Sequence, residues 1–139
     1  LASRFRERTP SGAGSVLVTA LPHAQHTLGM LMVSETLARY GFDVSLGDPF
    51  VPGVDPFGFD VVALSVTRSE EVSAAETLIA DIRRRAPGAQ ILVGGAVFRE
   101  DPGLISRIGA DGWAEDAVST LTLVREMTSD YTSRVARQA

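Results

Sequence analysis

The chain contains no cysteine and no lysine among its 139 residues. The first absence excludes disulfides, thiolate nucleophiles, iron–sulfur clusters and Cys-ligated zinc within this sequence. The second removes a Walker-loop lysine, a Schiff-base lysine and the lysine of a phosphoacceptor receiver domain. All 13 basic residues are arginine, a usage that fits a GC-rich genome better than any function. No apolar run approaches the ~18 residues that a membrane-spanning helix needs. The polar, Arg-bearing start, Leu1 to Ala13, has no apolar stretch after it and does not read as a signal peptide. Beginning at Leu1 without an initiator Met, the sequence reads as a piece of a longer, cytoplasmic protein. A net charge of −4 weighs against direct nucleic-acid binding, because a duplex-binding domain normally carries a basic patch.

What remains is ordinary in hydrophobic content and long enough for one domain with a sizeable core. Residues 1–14 read as a linker, with Arg4, Arg6 and Arg8 followed by Pro10-Ser11-Gly12-Ala13-Gly14. The globular unit, residues 15–139, begins with Ser15-Val16-Leu17-Val18-Thr19-Ala20, a run suited to a strand buried on both faces. Thr27 to Tyr40 has apolar residues at helical spacing (Leu28, Leu31, Met32, Leu37, Ala38) and a stop at Gly41. Phe42–Leu46 and Asp60–Ser65 read as strands two and three. Ser69 then caps a helix with Glu70 and Glu71 in its first turn, which runs through Leu78, Ile79 and Ile82 to Arg83-Arg84-Arg85. Gln90–Val93 is strand four, ending at Gly94-Gly95. A short helix over about Asp101–Ile108 precedes a fifth strand, Ala110–Trp113. The last helix spans Ala117 to about Arg134, with Val118, Leu121, Val124 and Met127 toward the core.

Strands alternating with helices at this spacing predict an α/β, flavodoxin-like, doubly wound parallel sheet of five strands in the order 2-1-3-4-5. One crossover departs from the pattern. Gly47 to Phe59 holds three prolines and three glycines, so the second crossover helix is shortened or lost. Its phenylalanines form either a packed lid or a partly exposed ligand or partner surface.

In such a sheet, ligands bind outside the carboxyl ends of the strands where the order reverses. Three segments meet there: His26 with Gly29 after strand one, Ser65-Val66-Thr67 after strand three, and Gly94-Gly95 after strand four. His23 and His26 are the only histidines, and an imidazole at that mouth can ligate a metal. Each residue also has a plainer role. His26 can be a loop histidine satisfied by backbone, Ser65 and Thr67 helix caps, and Gly94-Gly95 a tight turn. Trp113 reads as packing or as a stacking platform, and Arg83–Arg85 as a solvated helix end or a docking patch. No paired carboxylates, Ser/His/Asp order or G-x-G-x-x-G motif accompanies them, so no catalytic residue is assigned.

Taken in order, Ala24-Gln25-His26-Thr27-Leu28-Gly29, Ser65-Val66-Thr67, Gly94-Gly95 and Gly109–Ala117 resemble the cobalamin-binding domain over about residues 15–127. That family's pattern is Asp-x-His-x-x-Gly, then Ser-x-Leu or Ser-x-Thr, then Gly-Gly. The resemblance implies that His26 is the metal ligand, that Gly29 lets the first helix approach the ring, and that Ser65, Thr67, Gly94 and Gly95 line a slot for the cofactor's nucleotide tail. Ala24 stands where the family has an aspartate behind the histidine, a loss of support that costs ~10–100-fold in affinity or activity.

The string Gln25-His26-Thr27-Leu28-Gly29 is similar to a regulatory branch, the purple-bacterial photosynthesis-gene antirepressors. It is most like the C-terminal heme- and cobalamin-binding-like (SCHIC) module of the AppA type, with the PpaA/AerR type next. This implies a non-enzymatic sensory domain that binds heme, or else cobalamin. It would relieve a PpsR/CrtJ-type transcriptional repressor in response to light or redox state, with an N-terminal blue-light flavin (BLUF) domain as a covalently linked partner. The alternatives are a cofactor-free interaction scaffold and the cobalamin-carrying domain of a methyltransferase or mutase.

Overall fold

The computed structural model describes residues 14–21, 28–47 and 58–138. Strands β1 (Ser15–Ala20), β2 (Asp43–Leu46), β3 (Val61–Ser65), β4 (Gln90–Gly94) and β5 (Gly112–Ala114) form one sheet in the order β2-β1-β3-β4-β5. Every neighbouring pair is parallel, as the alternating pattern requires. The helices are α1 (Leu28–Arg39), α2 (Val72–Arg85), α3 (Val97–Glu100), α4 (Gly103–Arg107) and α5 (Ala117–Gln138).

The continuous apolar run of β1 has its physical cause in double coverage: all six of its residues are buried. Alternate side chains enter two separate cores. On one face Leu17, Val62, Leu64, Ile91 and Val93 pack with Leu78, Ile79 and Ile82 of α2 and with Phe98 of α3. On the other face Val16, Val18, Val61, Ala63 and Leu92 pack with Met30 and Leu37 of α1 and Leu121 and Val124 of α5. Each fully buried aliphatic or aromatic side chain contributes about 1.5–3 kcal/mol relative to exposure.

Helix α1 stops as expected. Gly41 takes φ of 94°, and the Phe42 N–H donates to the Leu37 carbonyl at 3.1 Å, a left-handed cap with buried Phe42 closing it. Other local expectations need correction. Ser69 does not cap α2: Ser69–Glu71 form a separate 3₁₀ turn, and the Glu71 carboxylate closes it by accepting the N–H groups of Thr67 and Arg68, each at 3.0 Å. The short helix expected over about Asp101–Ile108 is α4, Gly103–Arg107, with Pro102 before it where its missing N–H is harmless; α3, Val97–Glu100, is an additional short helix that the sequence reading did not include. In α1 the buried positions are Met30 and Leu37, whereas Leu31 and Met32 are about half exposed, at 49% and 53%. In α5, Val118 is 71% exposed, and Thr120 takes its expected place in the core with 6% exposure. The residues facing the sheet are Thr120, Leu121 and Val124, a phase that turns Val118 outward.

The arginine triplet is engaged in ion pairs rather than loose in solvent. Arg83 donates to the Gly109 carbonyl at 2.6 Å and pairs with Asp111 at 3.0 Å, and the same Asp111 oxygen accepts the Ile91 N–H at 2.7 Å. Arg84 and Arg85 both pair with Asp81. Arg83 therefore joins the end of α2 to the start of β4 and the entry to β5, while Arg84 and Arg85 pair within α2. The Pro- and Phe-rich crossover falls mainly on residues 48–57, which lie outside the described residues, as does the linker through residue 13. Among the described residues no helix is long and apolar enough to cross a membrane.

Candidate functional site

Parallel register brings four strand ends level at the carboxyl edge. Ala20, Ser65, Gly94 and Ala114 are successive partners across β1, β3, β4 and β5. They form one row of small side chains on the face covered by α1 and α5. Two residues deeper on the same face lies the row Val18, Ala63 and Leu92. Small residues at the edge leave a trough beneath the helices, a cavity of about 330 Å³. Gly29, Met30, Met32 and Val33 of α1 wall one side, and Ala117 and Thr120 of α5 the other.

Of the residues singled out in the sequence, Gly29, Ser65, Thr67, Gly94 and Gly95 all line this cavity. They do different things there. Ser65 is half-buried, and its hydroxyl makes no hydrogen bond with a described residue, so it can serve a ligand. Thr67 is at the mouth, but its hydroxyl donates to Glu71 at 3.1 Å. That makes it a turn residue rather than the helix cap of its plainer reading, since its hydroxyl donates to a carboxylate instead of accepting a helix N–H. A Cβ at Gly94 would sit 3.3 Å from the Ala114 carbonyl and narrow the trough.

Gly95 answers to the backbone first. Its φ is +138°, and a Cβ there would meet the Val66 carbonyl oxygen at 1.7 Å. The Val66 N–H donates to the Gly94 carbonyl at 2.8 Å and Trp113 Nε1 donates to the Gly95 carbonyl at 3.3 Å, so the turn is held from both sides. Trp113 is thus a half-buried packing residue against the α2-side core. His23, Ala24 and His26 lie outside the described residues. Among the described residues no three His, Cys, Asp or Glu side chains group to hold a metal ion.

The sequence reading missed Met30, Val33, Ala63, Leu92, Ala114 and Thr120, which complete the walls. Four small residues at four strand ends were visible as letters, but only the register shows that they stand side by side.

The family model of the B12 binding domain matches residues 14–122, the whole stretch that builds the sheet and the trough. The chain belongs to the B12-binding domain family. A curated relative, an uncharacterized 20.5 kDa protein in the bchF-crtJ intergenic region of Rhodobacter capsulatus, is 28% identical over 109 residues, 73% of this chain and 56% of that protein. The chain therefore spans little more than half of that relative's length. Among solved structures, the domain is similar to a cobalamin-binding protein from Desulfitobacterium hafniense (TM-score 0.67, 16% identity, 82% of this chain and 58% of that one). It is also similar to the Methanosarcina barkeri monomethylamine corrinoid protein (TM-score 0.69, 19% identity, 82% and 57%). A response regulator from Thermotoga maritima shares the fold (TM-score 0.66, 20% identity, 84% and 98%). At these identities the likeness is one of fold.

Two carboxylates, Glu115 and Asp116, line the trough of this B12-binding domain, and two ion pairs lie on flanking residues. Arg99 pairs with Glu115, and Arg68 with Glu70 at 3.0 Å. Asp116 opens α5: its carboxylate accepts the Ser119 N–H at 2.8 Å, while Ser119 Oγ accepts the Asp116 N–H at 3.1 Å, a reciprocal cap. The Ser119 backbone N–H above all, then its hydroxyl, hold the Asp116 carboxyl below its ordinary value of 3.8. A group depressed on folding contributes stability above its unfolded value and loses it as pH falls through the folded one. Wild type is therefore expected to exceed Asp116→Asn in melting temperature by a constant margin at neutral pH. That margin should shrink only below pH 3.8, as read by thermal melts across an acid series; a margin that changes between pH 5 and 7 would contradict this assignment.

Proposed function

We propose that this domain binds a corrinoid with the nucleotide tail in the trough, and that it serves as a non-enzymatic sensory module of an antirepressor. The observation that carries the reading is the trough itself. A pocket of about 330 Å³, walled by Val18, Ala63, Leu92, Met30 and Val33, offers an apolar recess for an appendage of the cofactor. Gly94 keeps its entrance open and Ser65 offers a hydroxyl beside it. When bound, the corrinoid would supply a cobalt centre that can change its ligation and redox state. His26, three residues before Gly29 in the sequence, is the side chain assigned to ligate it.

The same features favour cobalamin over heme. Heme has no tail to fill the trough, and its carboxylates would meet Glu115 and Asp116, while no arginine is among the described residues lining it. The comparisons, too, point to cobalamin and lend heme nothing. Ala24, in place of the family's aspartate, weakens the support a ligating histidine needs for catalysis and fits sensing better. The position of the curated relative beside crtJ supports a CrtJ-type repressor as partner.

Titration of the purified chain with hydroxocobalamin and, separately, hemin tests the reading. Shifted corrinoid bands that travel with the protein through gel filtration are expected, and His26→Ala should lose the shift. The loaded domain should also release a PpsR/CrtJ-type repressor from its operator in a mobility-shift assay. Failure to retain hydroxocobalamin would overturn the proposal.

A further inference from the structure

We infer that the outer seam between α1 and α5 is a docking groove for an acidic amphipathic helix of a partner protein. The inference goes beyond the corrinoid reading and does not depend on it. Three of the four large hydrophobic side chains that stand exposed among the described residues, Met32, Tyr40 and Val118, belong to this seam. Met32, Thr36 and Tyr40 form one stripe of α1, whose winding continues to Tyr40 through the bond from its N–H to the Thr36 carbonyl at 3.2 Å. Val118, Thr122 and Arg125, all exposed, form the matching stripe of α5. The Arg125 guanidinium lies 5.0 Å from the centroid of the Tyr40 ring, which brings the two stripes face to face. Both helices return from the carboxyl ends of strands and so run the same way. Met32 and Val118 therefore stand level with each other, about 10–12 Å from the Tyr40–Arg125 contact at a rise of ~1.5 Å per residue.

The groove is apolar at the end beside the trough, where Met32 and Ala117 line the cavity, and cationic at the other. Arg125 stacks on Tyr40 and pairs with no carboxylate of a described residue. Glu35 on α1 is taken by Arg39 at 3.1 Å, and Glu126 lies about 100° further round α5. A helix laid along the seam complements both ends if it sets an apolar side chain over Met32 and Val118 and, two turns away, a carboxylate over Arg125. Tyrosine and arginine are the residue types that most often dominate binding energy at interfaces. A second copy of this chain does not match the seam. A twofold axis along it would set Arg125 against its own copy, and one across it would set the cationic end against the apolar end. Residues 1–13, with Arg4, Arg6 and Arg8 against a single Glu7, carry the wrong sign for Arg125.

Two synthetic helical peptides, alike but for one residue, test this by NMR titration of the full, isotope-labelled chain. Each carries leucine at one end; at the spacing of Val118 to Arg125, one carries glutamate and the other lysine. The glutamate peptide should bind at least about 3-fold tighter, and the amide resonances that shift should be those of residues 32–40 and 118–125. Arg125→Glu should reverse the order, making the lysine peptide the tighter binder, which loss of packing alone cannot do. Val118→Ser should weaken both peptides without altering their ratio. Equal affinity of the wild-type chain for the two, no binding of either, or shifts away from the seam overturns the proposal, as does an unreversed order in Arg125→Glu. Concentration-dependent self-association that shifts the same resonances would give the seam to a second copy and overturns it too.

Discussion

Gly95→Ala is expected to destabilise the domain by more than about 3 kcal/mol, because strained backbone and overpacking costs combine at one residue. The position has φ of +138°, where an L side chain is strained regardless of space, and its new methyl would lie 1.7 Å from the Val66 carbonyl oxygen. That oxygen belongs to backbone, so relief requires separating the ends of β3 and β4, which the Val66–Gly94 hydrogen bond holds at 2.8 Å. The Trp113 hydrogen bond to the Gly95 carbonyl would be disturbed by the same movement. Denaturant unfolding of wild type, Gly95→Ala and Gly88→Ala checks this. A Cβ at Gly88 meets nothing within 4 Å, and Gly88 is not among the positive-φ glycines. Its substitution should therefore be neutral or stabilising by up to about 1 kcal/mol. Similar midpoints for the two variants would mean that the backbone crossing at Gly95 is not as close as described.

Val33→Trp should separate binding from folding. Val33 is half-buried on α1 and faces the cavity, so an indole there can enter empty space rather than displace packed neighbours. The melting temperature should hold or rise slightly. Corrinoid affinity should fall by roughly 100-fold, since excluding the tail forfeits about 3 kcal/mol of apolar burial. Calorimetric titration of hydroxocobalamin against the variant measures it. Wild-type affinity in a folded variant would show that the tail does not enter between α1 and α5.

Period and punctuation made the sheet legible in advance. The buried run of β1, the apolar β3 and β4, and the helical spacings between them predicted both the parallel sheet and its strand order. Helix phase was less legible where apolar residues also occupy outward positions. Val118 read as core because it sits three residues before Leu121, yet the face that meets the sheet centres on Thr120, Leu121 and Val124. The four-residue α3, Val97–Glu100, was too short to show a helical period, whereas α4 was expected at its place.

The candidate site divides along the same line. Gly29, Ser65, Gly94 and Gly95 could be picked out because strand-end position and residue type are local properties of the chain. Whether each serves a ligand or the backbone could not be, since that depends on which atoms cross above it. Gly95 proves to be required by the Val66 carbonyl, and the Thr67 hydroxyl is held by Glu71. The trough belongs to no single segment. Ala20, Ser65, Gly94 and Ala114 become one row only when parallel pairing sets their register, and the row becomes a cavity only when α1 and α5 roof it. By itself the sequence determined the chemistry excluded by its missing cysteines and lysines, the doubly wound order and the sheet edge where such a fold offers a ligand site. Tertiary structure alone decided the depth and apolar lining of the trough, because those arise from side chains far apart in sequence that register and packing bring within reach.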